Sequence, residues 1–126
     1  MREPLRDKER LRHIMESIDL IQEHTQHITY EAFATDKILF GAIVYYTMII
    51  GEATYKLSRA FVTQHPEVPW QDIADMRHHL VHGYYQVDSH IVWQVIQHDL
   101  TPLKSNIQKL LDETDWSLWE QQKDFL

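Results

Sequence analysis

Leu11, Ile14, Met15, Ile18 and Ile21, with Ile28 beyond them, recur at spacings of three and four, the stripe of an amphipathic helix over about residues 5–27. Thr29, followed by Glu31 and Ala32, predicts the cap of a short turn that carries Phe33 inward. A second cap at Thr35-Asp36 opens the longest predicted helix, on which Leu39, Ala42, Ile43, Tyr46, Ile49, Ile50, Ala53, Leu57 and Ala60 keep the period until about His65. Pro66 and Pro69 in PEVPW cannot continue it, because each ring removes an N–H donor and restricts the preceding residue. Pro69 is placed to begin another helix, with Ile73, Met76 and Leu80 on one side and Gly83 positioned to loosen or end it. Asp88-Ser89 then caps a last long helix. Val92, Val95, Ile96, Leu100, Leu103, Ile107, Leu110 and Leu111 stay in phase on it across Pro102, which predicts a kink rather than a break.

No internal repeat, low-complexity tract or strand-like alternation interrupts this pattern. The expected fold is all-α, an up-and-down bundle of four main helices plus a short helical turn. Its helical domain is expected over residues 1–112, followed by an acidic and aromatic tail over 113–126. Composition agrees: 126 residues suit one core, and 3 Gly with 4 Pro supply little turn chemistry for an all-β fold. Absence of cysteine removes disulfides, thiolate metal sites and a cysteine nucleophile, and fits a reducing cytoplasm. The charged start MREPLRDKER lacks the apolar core of a signal peptide. The most apolar run, Ile38 to Ile50, spans 13 residues, short of the roughly 20 that cross a membrane, and is expected to be buried core. A net charge of -7 argues against a broad nucleic-acid surface, and no DNA partner is expected. Any RNA contact must be local.

Chemistry concentrates in DMRHHLVHGYY, residues 75–85, where Arg77, His78, His79, His82, Tyr84 and Tyr85 meet at one helix end. Arg offers a planar fork for phosphate oxygens, and His exchanges a proton near neutral pH. Metal-free RNA cleavage needs those two parts: an acid or base for the ribose 2′-hydroxyl and leaving oxygen, and a cation for charge developing on phosphorus. On an ideal helix Arg77 and His82 point about 140° apart, whereas Arg77 and Tyr84 nearly align. Convergence of Arg and His therefore requires a distorted helix end at Gly83, a second subunit contributing its own copy, or both; a dimer is expected.

Arg77, four residues, His82, one residue, Tyr84, set in MRHHLVHGYYQVD and followed by IVWQVIQHDLTPL, resembles the HepT-like toxins of the HEPN superfamily. The likeness runs back through PEVPW and IIGEATYKLS and forward to about Leu111, and takes in Trp93, Asp99 and Gly51-Glu52. The resemblance implies a cytoplasmic, homodimeric toxin that cuts tRNA or mRNA without a metal or other cofactor. The partner it implies is a minimal nucleotidyltransferase (MNT) antitoxin that transfers AMP from ATP to the motif tyrosine, here Tyr84. Arg77 would hold the scissile phosphate and His82 act as general base or acid, with His78 and Glu52 in support.

Plainer readings stand beside these. Cations at a helix C-terminus favour its dipole in any protein, and the i, i+4 spacing of His78 and His82 also suits a metal, although no HExxH pattern surrounds them. Tyr45, Tyr46 and Tyr55 are read as core aromatics. Glu52 is either buried, with Arg77 as its partner, or on an exposed face. The tail with Trp116, Leu118, Trp119, Phe125 and Leu126 either packs back on the bundle or docks a partner. Two functional alternatives remain open: a non-catalytic helical binding subunit of a minimal nucleotidyltransferase, and a structural oligomerisation domain.

Overall fold

The first apolar stripe forms α1 (Asp7–Thr25), in which Leu11, Ile14, Ile18 and Ile21 are fully buried. The computed structural model describes residues 6–76, 78, 81–82 and 86–122, with the backbone alone at 81, 82 and 86. Thr29 caps α2 (Tyr30–Thr35) by accepting from the Ala32 N–H at 3.1 Å, and Phe33 is fully buried as the pattern predicts. Asp36 caps α3 (Lys37–Tyr55) through the Leu39 N–H. Each cap satisfies a backbone donor that the first helical turn leaves unpaired.

Two expectations about α3 need correction. It does not run to His65: it stops at Tyr55, and Ser58 caps a separate α4 (Arg59–Gln64) by accepting from the Phe61 N–H. Buried Leu57 and Phe61 flank the break, so the apolar period continues across it and hides it. Nor is α3 core throughout. Ile43, Val44, Ile50 and Ala53 are buried, but Ile38 is 85% exposed, Tyr45 57% and Tyr55 66%, and Met48 and Ala42 are also exposed. Tyr45 and Tyr55 are therefore not core aromatics, whereas Tyr46 is half-buried against the core. By length and composition α3 is apolar enough to cross a membrane, with a mean hydropathy of 1.4. One face packs on its neighbours, chiefly α1, and the other is left uncovered by the described residues.

Pro69 precedes α5 (Trp70–Ala74), as expected of a residue that can start but not continue a helix. The chain then forms β1 (Val81–His82), antiparallel to β2 (Gln86–Val87), with Val81 opposite Val87 and His82 opposite Gln86. Apart from this two-residue pairing the described residues form an all-α fold. Asp88 accepts from the His90 and Ile91 N–H groups and caps α6 (Ser89–Gln94). A π-helical turn (Val95–Asp99) leads without interruption into α7 (Leu100–Glu113). The wide turn is the local form of the expected distortion. Pro102 has no N–H to give the His98 carbonyl, and a π turn absorbs such a mismatch without ending the helix. Val92, Leu100 and Ile107 remain buried along the whole run, and α7 packs against α1.

Of the tail, Trp116–Gln122 folds back as α8, while Phe125 and Leu126 lie outside the described residues. Trp119 is 5% exposed, stands in an aromatic cluster with Phe61, and donates its Nε1–H to Asp7 Oδ2 at 3.0 Å. Asp7, itself 3% exposed, also accepts from the Ser58 N–H at 2.8 Å and the Ser58 hydroxyl at 2.7 Å. One buried carboxylate thus joins the start of α1, the α3/α4 break and α8. A buried carboxylate is tolerated only with such donors.

Removing one donor while keeping an aromatic ring, Trp119→Phe, is expected to cost about 1–3 kcal/mol, and Asp7→Ala, which strands three donors, about 3–5 kcal/mol. Urea denaturation measures both. A midpoint unchanged in Asp7→Ala would show that the carboxylate holds nothing together.

Candidate active site

The helix that precedes the motif, α5, packs against α3. A Cβ placed on buried Gly51 would lie 3.3 Å from the Ile73 carbonyl oxygen and 3.5 Å from that of Ala74. The first distance is tight, so that an added methyl would make the Ile73 carbonyl give by a few tenths of an ångström, and the second is ordinary contact. Three residues after Ala74 comes Arg77, so chain length alone keeps their Cα atoms within about 11 Å. Glu52, beside the crossing, is 42% exposed and lies 3.7 Å from Lys56 Nζ. The carboxylate is thus on the partly exposed side of α3, the second of the two placements open to it; its pairing with Arg77 lies outside the described residues.

His78 is exposed, and its backbone N–H donates to the Asp75 carbonyl at 2.9 Å, closing the turn that follows α5. Arg77 and Tyr84 lie outside the described residues, as do His79, Leu80, Gly83 and Tyr85. His82 is in β1, not on a helix. The angles of an ideal helix therefore do not apply at His82, and the i, i+4 helical spacing that would let His78 and His82 share a metal is not realised. The physical reason is the antiparallel pairing, which uses the backbone groups of Val81 and His82 in a ladder instead of a helix. In the sequence Tyr84 comes between β1 and β2.

Downstream, the strand pair is held to the bundle through α6. The Tyr30 hydroxyl is 2.6 Å from the Ser89 hydroxyl, and the Tyr30 ring stacks on His90 at 4.5 Å between centroids. Trp93 meets both Tyr30 and buried Phe33. These contacts tie α2 to the beginning of α6, immediately after β2.

Two clefts flank α5 where the motif segment leaves it. One, of about 420 Å³, lies between α5 and the α6/α7 run; it is mainly apolar, with Ile73, Met76, Val95 and Leu103 in its lining, and carries exposed Asp72 and Asp99. The other, of about 390 Å³, lies between the end of α3, α4 and the opposite side of α5, and is lined by Tyr55, Arg59, Thr63, Gln71 and Ala74 among others. The first offers carboxylates and the second a guanidinium. Sequence periodicity did not reveal either cleft, since both depend on how α5 sits between its neighbours.

Residues 14–110 match the HepT-like ribonuclease family, and the chain belongs to it. It is 39% identical over 103 residues to "Probable ribonuclease HepT" of Thermococcus cleftensis, covering 82% of this chain and 94% of that protein. It is 34% identical over 103 residues to a "Putative RNase" of Caldanaerobacter subterraneus subsp. tengcongensis, covering 82% and 92%. A Methanocaldococcus jannaschii protein named "Gamma-glutamylcyclotransferase and putative RNase" is 39% identical over 105 residues, 83% of this chain but 47% of that protein. No solved structure gives a significant match. The family membership expected from the Arg77, His82 and Tyr84 string is thus established, and it supports ribonuclease activity. The matched span includes the whole motif and ends before α8.

Because the Gly51 crossing sets where the motif emerges, Gly51→Leu is expected to disturb it. The added side chain must push the Ile73 and Ala74 carbonyls away, lowering stability by about 1–3 kcal/mol and RNA cleavage by tenfold or more. Thermal melting and cleavage assays test this. Wild-type behaviour in both would show that the crossing positions nothing.

Proposed function

We propose that this protein is a metal-independent endoribonuclease toxin of a HEPN/MNT toxin-antitoxin pair, acting in the cytoplasm on tRNA or mRNA. Membership of the HepT-like ribonuclease family over a span that contains Arg77, His82 and Tyr84 carries the reading. The Arg77 guanidinium binds the scissile phosphate and offsets charge developing on its oxygens. His82 takes the proton of the ribose 2′-hydroxyl, whose oxygen bonds to phosphorus as the bond to O5′ breaks, leaving a 2′,3′-cyclic phosphate and a 5′-hydroxyl. The proton on O5′ comes from a second imidazole, His82 of the partner subunit in a homodimer. His78 and Glu52 support the site by orienting the turn and Arg77.

The uncovered face of α3 favours the homodimer. Ile38, Tyr45 and Met48 are exposed, and Gly41 beside them has open space around it, so a second copy of the helix can approach closely. Silencing follows from the same chemistry. The Tyr84 hydroxyl attacks the α-phosphate of ATP on the nucleotidyltransferase antitoxin, pyrophosphate leaves, and the resulting phosphodiester competes with RNA for Arg77.

Incubating the purified protein with RNA in excess chelator is expected to yield ends bearing 2′,3′-cyclic phosphate. Arg77→Ala and His82→Ala should each lower kcat/KM by about a hundredfold or more. Cleavage that requires added divalent metal, or that survives both substitutions, overturns the mechanism. Tyr84→Phe is expected to keep cleavage yet escape the antitoxin, as toxicity in cells carrying both proteins would show. Tyr45→Glu on the α3 face is expected to give a folded monomer without activity; light scattering reads the mass, and an active monomer sinks the dimeric site.

A further inference from the structure

We infer that the cleft lined by Tyr55 and Arg59 is a substrate subsite. It receives the single-stranded RNA next to the scissile phosphate, with Arg59 on a backbone phosphate and Tyr55 stacked on a base. The inference rests on the ribonuclease reading and adds the part of the protein that holds the substrate.

Charge narrows the choice. On α3, α4, α5 and the motif that follows them the chain carries only four Lys or Arg residues, Lys37, Lys56, Arg59 and Arg77, in a protein of net charge -7. A polyanion reaching Arg77 must be held by the few cations near it. Lys37 is at the far end of α3, about 27 Å from Tyr55 at 1.5 Å per residue. Lys56 already faces Glu52 at 3.7 Å. Arg59 is exposed and pairs with no carboxylate among the described residues.

Position narrows it further. The Arg59 cleft shares Ala74 with the helix that leads to Arg77, and Ala74 is at the Gly51 crossing. Chain length places Arg77 within about 11 Å of Ala74, within reach of a nucleotide or two. The cleft on the other side of α5 reaches Met76, next to Arg77 in the sequence, but presents Asp72 and Asp99, which repel a phosphate backbone. Arg59 and the 66%-exposed Tyr55 reproduce the pairing of a cation with an aromatic platform used for single strands, where stacking tolerates any base. Thr63 and Gln71 add neutral hydrogen-bonding groups. The α3/α4 break makes the arrangement possible, because an unbroken helix would carry Arg59 on along the axis of α3 instead of turning it across the cleft.

Fluorescence anisotropy with a short labelled single-stranded RNA tests this, using the full chain with His82→Ala so that the probe survives. Adding Arg59→Ala is expected to weaken binding about tenfold and to lower the slope of log affinity against log salt by about 0.7, the loss of one phosphate contact. Tyr55→Ala is expected to weaken binding about fivefold or more with the slope unchanged. Tyr55→Phe should restore affinity, and Arg59→Lys should restore the slope, which a merely structural role would not predict. Asp72→Asn should leave binding within about twofold. If Arg59→Ala and Tyr55→Ala bind as the parent does, or if both cleave with wild-type KM when His82 is intact, the subsite is wrong while the ribonuclease reading stands. Absence of cleavage by the wild type overturns the ribonuclease reading, and the subsite with it.

Discussion

The backbone contact at Gly51 is the constraint from which the candidate site follows. With no side chain between them, α3 and the Ile73 carbonyl meet at a distance where even a methyl would be tight, and the Ala74 carbonyl lies at contact distance beside it. That contact anchors α5, and α5 decides where the motif segment leaves the bundle. It also creates the two flanking clefts, because a short helix pressed against α3 leaves space on either side of it. The packed contact at Ala74 precedes Arg77 by three residues in the sequence. This is the usual division between a rigid scaffold and the short connection that carries function.

Stability is organised around a different group. The buried carboxylate of Asp7 gathers two donors from Ser58 and one from Trp119, so the start of α1, the α3/α4 break and α8 are joined by one charge. Phe61, one turn into α4, packs with Trp70, Trp116 and Trp119 around the same region. The arrangement binds the two ends of the described chain to its middle. It also ends α3 early enough for Arg59 to sit beside Tyr55, which makes a stability device part of the geometry of the proposed RNA-binding cleft.

Much of the fold was legible where one residue satisfies its own local backbone. Thr29, Asp36 and Asp88 cap the helices at which their side chains were expected, since capping depends on neighbours two or three residues away. The buried stripe of α1 and that of the α6/α7 run obey the period, and the distortion before Pro102 follows from its missing N–H. What misled was periodicity extended beyond local evidence. Leu57 and Phe61 keep the phase across a break, and Tyr45 and Tyr55 continue an apolar helix while facing outward. A hydrophobic pattern does not encode whether an apolar residue is covered by its own chain or left exposed.

The amino-acid order alone determined the helical class, most helix starts, the buried stripe of α1 and the family, because these depend on local capping, on spacing and on one motif string. Tertiary structure decided the rest: that one face of α3 is left uncovered by the described residues, that Ser58 turns toward Asp7, that His82 is in an extended pair, and that a cation faces one side of α5 while carboxylates face the other. Each of these joins residues distant in the chain, such as Asp7 with Trp119 or Gly51 with Ala74. Burial, desolvation and close approach depend on distance in space, and a linear pattern carries that distance only within a helical turn or two.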